Sequence, residues 1–547
     1  MRSSTFIDFN VRRFRIYLFP TPKPLLNMKN LILLLSFYFL VQVSDSFGQY
    51  NLDWMQPSES TGKTGVMSTV DSEDNLIVIG HTGISGQIFV RKFTLSGDLL
   101  WEANDTSTVH SLYEKAHWVN CDANNNILVI GTIGSYSSSS GGAASIVVLK
   151  YTQTGTLLWR TVIPLSPIGS HVQYFDCRSV VDSSGFLYIG TTRIGTSNVS
   201  GIILTKIGLD GTVLFSNVST ANSPAYSVSM RIKNNKIVIG SESGPVNSAP
   251  VVMWDTDGNL LWSANAVGRG TADVEIDEDE NTYVLTSIMN EITPITFMSN
   301  MKITKFSPTG NLLWSKIYTN ATAQDFPIRM TYVNGRISFI GYGNGINWRI
   351  FQTDKDGILQ WSTTYDGTTQ NDEYPYYIVA KPNGEVIVTG KGGPSPNPLT
   401  SDIQMPVVQF SNTGVQNWIS TPNVYGGWGM SLGFASDSSL FAISSTSMTA
   451  YHYSRTFTDN KAIASNKPIK IYPNPFSSHI TLEAGKDELE SVTVSDLLGR
   501  NLKTVSIENQ NVTGNQLTID LSDLKTGIYF CSVKSKGKVE ILNIRKD

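Results

Sequence analysis

Side chains able to do chemistry are few in this sequence, and they rarely sit at catalytic spacings. Its six histidines are His81, His110, His117, His171, His452 and His479, and no pair forms an HExxH or HxH motif. Those spacings mark catalytic zinc sites such as those of metalloproteases, and the cysteines show no metal-ligand spacing either, so no metal ligand is assigned. His110, Glu114 and His117 share one inter-strand segment and could bring two imidazoles and a carboxylate together. A solvent-exposed loop is the reading adopted there. The run DVEIDEDEN (273–281) concentrates acids, and Asp277, Asp279 and Asn281 alternate as calcium ligands do. It lacks the glycine and the terminal Glu of a calcium loop, and a similar turn recurs at Asp71–Asn75, so it reads as a hairpin. Cys121, Cys177 and Cys531 lie far apart and read as small buried hydrophobes, with a Cys121–Cys177 bridge left open. No catalytic residue is assigned.

The elements that must position these residues are strands. The chain has 547 residues, which implies more than one core. With a net charge of −4 and 16% charged residues it lacks the basic stripe of a nucleic-acid binder. Its 45 glycines, with many Ser, Thr and Asn, mark tight turns between short strands, and no long amphipathic helix follows residue 50. The class is all-β.

The stretch MKNLILLLSFYFLVQVSDSFGQ begins at Met28 and orders a positive end, an apolar run (31–43) and small residues before Gln49. That is the layout of a secretory signal peptide, with cleavage expected between Gly48 and Gln49. The apolar run falls short of the ~20 residues that span a bilayer, so no transmembrane helix is expected in the mature chain. Residues 1–27 form an N-terminal extension, and translation from Met28 is the alternative start.

A repeat fills the middle of the chain. SGDLLW (96–101) returns as TGTLLW, DGTVLF, DGNLLW, TGNLLW, DGILQW and TGVQNW, with glycines at 97, 155, 211, 258, 310, 357 and 414. Spacings of 47–58 residues belong to propeller blades. Two further landmarks precede each Gly, such as NLIVIG (75–80) and FVRKF (89–93), so each unit reads as strand, strand, hairpin, strand. The Gly turns the chain, and the aromatic is expected to pack between adjacent blades. Trp54 lies 47 residues before Trp101 and supplies the missing aromatic strand. The N-terminal strand then closes the ring into eight blades over 49–457, with seven as the alternative.

The repeat resembles the pyrroloquinoline-quinone-like and SBBP-type bacterial β-propeller repeats. A quinoprotein dehydrogenase would need cofactor-clamping residues and often a vicinal disulfide or CxxCH motif. No adjacent cysteines and no CxxCH occur, so no cofactor is assigned.

A polar linker (458–470) leads to a second module over 471–547. Tyr472-Pro473-Asn474-Pro475-Phe476, then Asp496, Gly499 and Arg500, then Gly527 and Tyr529 read as a small Ig-like antiparallel sandwich with stiff entry and tight turns. The same residues resemble the type A C-terminal sorting domain of the Bacteroidetes type IX secretion system. The resemblance implies the type IX secretion machinery as partner, and a destination outside the cell or on its outer-membrane surface. The expected function is a secreted or surface propeller that binds a glycan or protein on one face. The alternative is a lyase or glycoside hydrolase acting on polysaccharide from the central pocket, which would need two carboxylates about 5–9 Å apart.

Overall fold

The computed structural model describes residues 49–456 and 470–547, apart from segments 59–61, 83–85, 106–112, 135–144, 165–176, 194–199, 222–224, 244–247, 294–295, 319–323, 344–346, 368–372, 393–403, 423–426, 484–488, 497–500, 507–515 and 536–537. The signal peptide with Gly48, the linker through residue 469, His110, His171, Gly499 and Arg500 lie outside the described residues. Two compact units emerge, one over Gly48–Phe457 and one that includes Thr458–Asp547.

The first unit is a propeller. Eight four-stranded antiparallel sheets follow one another among its described residues. Seven are built from consecutive strands, within 63–104, 113–163, 178–221, 225–265, 269–318, 325–365 and 374–420. The eighth takes three strands from 429–456 and its outermost strand, Gln49–Gln56, from the start of the unit. The innermost strands contact one another in series, blade 1 to blade 8 and back to blade 1, so the ring is closed. Closure protects the open edges that a stack of sheets would otherwise expose.

The repeated Gly and aromatic explain how neighbouring blades lock. Gly155 turns the hairpin of blade 2 at φ 88°, a region that disfavours other residues. A Cβ there would stand 2.6 Å from the ring of Trp101, so the indole of blade 1 lies directly on the turn of blade 2. Its N–H donates to the Gln153 carbonyl at 2.9 Å. Trp159 repeats the bond to Leu209 O, Trp262 to Pro308 O, and Trp54 to Leu95 O. Trp54 also stacks on His452 (5.6 Å) and lies 6.0 Å from Phe441, which ties the first strand to the last.

Three of the aspartates that open inner hairpins do two jobs. Asp71 accepts N–H bonds from Glu73 and Asn75, and pairs with the buried Lys92 ammonium at 2.8 Å. Asp122–Lys150 (3.0 Å) and Asp277–Lys305 (3.3 Å) repeat the pair. Burial alone would raise these carboxyls, but hydrogen bonds from Asn to all three, from Lys to Asp71 and Asp122 and from Tyr283 to Asp277, with the lysine charge, outweigh it and hold them below the ordinary value. The second half of the acid run, Asp277–Asn281, is therefore a capped hairpin, with Asp277 accepting from the Asn281 N–H at 2.7 Å, while Asp273 and Glu275 belong to the preceding strand.

The second unit packs a three-stranded sheet against a four-stranded one. Phe476, Ile480, Val492, Leu517, Tyr529 and Cys531 belong to the shared core. No disulfide is present among the described residues, and burial pushes the Cys121 and Cys531 thiols up to about 12.

Candidate functional site

The propeller's central channel is shaped by a recurring irregularity. Six inner strands skip a residue in the pairing with the next strand at Val66, His117, Ala272, Ile328, Tyr376 and Met430, and the blade 5 strand skips Gly270 as well. Such β-bulges re-aim side chains. All six residues line one cavity of about 650 Å³ in the channel. The bulge also presses a carbonyl onto the neighbouring strand. A Cβ on Gly341 would meet Phe326 O at 2.0 Å, and one on Gly80 would meet Thr64 O at 2.1 Å. The glycine ending landmarks such as NLIVIG is thus the sequence trace of the bulge.

A second cavity of about 300 Å³ lies toward the other ends of the inner strands. Trp118, Arg231 and Arg329 border both cavities and so form the partition. Arg178 stacks over Trp118 at 4.4 Å, while Arg329 lies 5.8 Å from Trp118 and 4.2 Å from Tyr377. Cations and rings from blades 2, 3, 6 and 7 therefore interleave around the channel.

Two carboxylates from blade 5 complete the partition. Asp273 accepts from the Ser229 hydroxyl, from the Val274 N–H (3.0 Å), from the Met330 N–H (3.1 Å) and from Arg231. Glu275 takes Arg231 through Nε (3.0 Å) and Nη2 (2.8 Å). Burial pushes Glu275 up to about 7, the guanidinium offsetting this only in part. Arg231 loses some basicity to burial but gains more from Asp273 and Glu275, so it stays charged. Standing two apart on one strand, both carboxylates face the channel. Asp273 faces the larger cavity and Glu275 the smaller.

The exposed-loop expectation for Glu114 and His117 is corrected. Both lie on the inner strand Tyr113–Cys121 and are buried, Glu114 at 2% and His117 at 7% exposure. The inner strand begins earlier than the sequence suggests, at Tyr113, and its bulge turns this stretch into the channel wall. Glu114 binds Arg160 at 2.9 Å and His117 meets Thr132 Oγ1 at 3.0 Å, so the two serve different partners. No cluster of three His, Cys, Asp or Glu able to hold a metal occurs among the described residues. Burial, then Lys115 and His117, push the nearby His81 down to about 4, so it is neutral at physiological pH. His117, Asp273 and Glu275 are visible in the sequence as titratable residues but not as channel lining, and Trp118, Arg178, Arg231, Arg329 and Tyr377 escape sequence reasoning, because the inner strand carries no repeat landmark.

In the C-terminal unit the motif residues divide by role. Phe476 is buried at 1% exposure and exchanges backbone bonds with the last strand, through Arg545 O (2.8 Å) and Asp547 N (3.1 Å). Asn474 accepts from the Arg545 N–H at 2.8 Å. Tyr529 is buried and donates to Lys525 O at 2.6 Å, just after Gly527 opens its strand. Tyr472, Pro473, Asn474 and Pro475 stay exposed around the clamp, and Asp496 ends a strand on the other sheet. The opening motif thus anchors on the extreme C-terminal strand while presenting its prolines outward.

Residues 470–544 match the family described as secretion system C-terminal sorting domain. The tail is a sorting domain. It marks the chain for type IX secretion and cell-surface attachment, so the protein is a secreted β-propeller. No curated protein sequence matches the chain. Among solved structures, the propeller of Dos1 is 11% identical with a TM-score of 0.47, covering 76% of this chain and 97% of its own. The BP39L lectin from Burkholderia pseudomallei is 8% identical (TM-score 0.42; 66% and 99% covered). A virginiamycin B lyase from Staphylococcus aureus is 10% identical (TM-score 0.38; 74% and 99% covered). At these scores the architecture rests on this chain's own strand pairing.

Proposed function

We propose that the secreted propeller is a binding protein whose ligand enters the larger channel cavity. The observation that carries this is the separation of the two channel carboxylates. A hydrolase or lyase acting through an acid and a base needs both on one scissile bond. Asp273 and Glu275 border different cavities and share one guanidinium, an arrangement that builds a partition rather than a catalytic pair. The elevated Glu275 alone could donate a proton, but among the described residues no second carboxylate lines its cavity.

The test uses the purified full chain on arrays of polysaccharides and surface proteins. Ala272→Trp, at a bulge position, should fill the larger cavity and abolish retention with secretion unchanged. Equal retention by Ala272→Trp would move the site off the channel. Release of new reducing or unsaturated ends, lost in Glu275→Gln, would replace the binding reading with the enzymatic one.

A further inference from the structure

Among the described residues, four cationic side chains, Lys115, Arg178, Arg231 and Arg329, line the larger cavity against a single carboxylate, Asp273. That carboxylate is already occupied by Arg231, Ser229 and backbone N–H groups. Among the described residues no carboxylate pairs with Arg329; its guanidinium is held only by the faces of Tyr377 and Trp118. Burial pulls its basicity down, and Arg178 and Arg231 add to this, with Tyr377 and Asp273 offsetting it only in part. A partly buried guanidinium in a cavity with ring partners, and with no carboxylate in direct contact among the described residues, is an open seat for an anion.

The wall continues outward as an aromatic strip. Tyr376, which lines the cavity, stacks on Trp428 at 5.8 Å and an interplanar angle of 13°. Lys391 lies over both Trp428 (5.8 Å) and Tyr374 (5.6 Å). Tyr374 meets Tyr342 at 4.8 Å, and Tyr342 stacks on Phe326 at 5.0 Å. The strip thus runs from blade 8 across blade 7 to blade 6. Trp428 is 37% exposed, and the other four rings are half-buried rather than sealed in a core. Exposed ring faces with hydroxyl and ammonium tips suit the alternating C–H and hydroxyl faces of sugar rings better than a wholly apolar partner.

We propose that the cavity and strip together bind an acidic polysaccharide. Its sugar rings lie along Trp428 and Tyr376, and a carboxylate of the chain reaches Arg329 and Lys115. This rests on the channel-binding reading and names its ligand class.

Calorimetry with the full chain tests it, using oligogalacturonate as probe, neutral cello-oligosaccharide and polyglutamate as comparisons, and melting curves to verify folding. Oligogalacturonate should bind, weaken as salt rises, and lose at least about tenfold in affinity in Arg329→Gln. Trp428→Ala, a surface truncation that leaves the core intact, should weaken it several-fold without changing the salt dependence. Equal binding of the neutral glycan, insensitive to Arg329→Gln, would overturn the anionic part while leaving a glycan site in the channel. Polyglutamate binding without either glycan would overturn the ligand class but keep the channel-binding reading. Oligogalacturonate binding that Ala272→Trp does not affect would overturn both.

Discussion

Removing the first strand should open the propeller. Gln49–Gln56 pairs with Ala450–Thr456 from the opposite end of the unit, with a shift between Leu52 and Trp54. Tyr50 is the better-buried anchor, at 2% exposure, with its hydroxyl on Ser438 O (3.1 Å) and its ring 5.3 Å from Trp418. Truncating a buried aromatic costs about 3–5 kcal/mol. Tyr50→Ala should sit in that range, and the half-exposed Trp54 should cost roughly half as much. A unit of about 400 residues shifts its Tm by only ~1 °C per kcal/mol, so single variants should melt a few degrees low. The chain beginning at residue 57 should fall further than both single variants combined. It also strips the backbone partner from a whole strand and exposes an edge. Calorimetric melting of the three proteins measures this. A deletion that melts within a degree of the parent would mean that the ring closes without its first strand, and the reasoning about closure would be wrong.

Acid should weaken the propeller through its Asp–Lys pairs. Folded-state pKa values of Asp71, Asp122 and Asp277 lie below the unfolded value, so their stabilisation is complete above that value. It drains away as pH falls through the folded values, and Tm should drop steeply below about pH 4. Asp71→Asn should flatten that slope and cost about 3–5 kcal/mol at pH 7, since it strands the buried Lys92; an unchanged Tm there would show the pair to be idle. Gly341→Ala should cost roughly 3 kcal/mol or more, because a Cβ at 2.0 Å from Phe326 O forces the bulge to move; urea unfolding checks it. Deleting residues 467–547 should leave the propeller folded but retained inside the cell envelope, and normal surface display in fractionated cells would refute that.

What the sequence discloses about this fold follows from what each strand must satisfy. The outer strand meets the same demand in seven of the eight blades, an aromatic ring seated on a glycine turn, so Trp101, Trp159 and Trp262 announce themselves together with Gly155, Gly211 and Gly310. The two middle strands are buried on both faces and read as short apolar runs. The inner strand answers to the channel instead, and its equivalent positions hold Val66, His117, Ala272, Ile328, Tyr376 and Met430. No period can be seen in that set, because side chains meeting across one channel must complement each other rather than match. Arg231 needs two carboxylates from blade 5, Arg329 needs the rings of blades 2 and 7, and neither need could recur eight times. The glycine that accommodates each bulge is the exception. At Gly80, Gly341 and Gly390 it records a backbone contact of about 2 Å to a missing Cβ, and so it repeats although the residue it accommodates does not. Where a repeat keeps its glycine and its inner strand loses all pattern, the patternless strand is therefore the place to look for function.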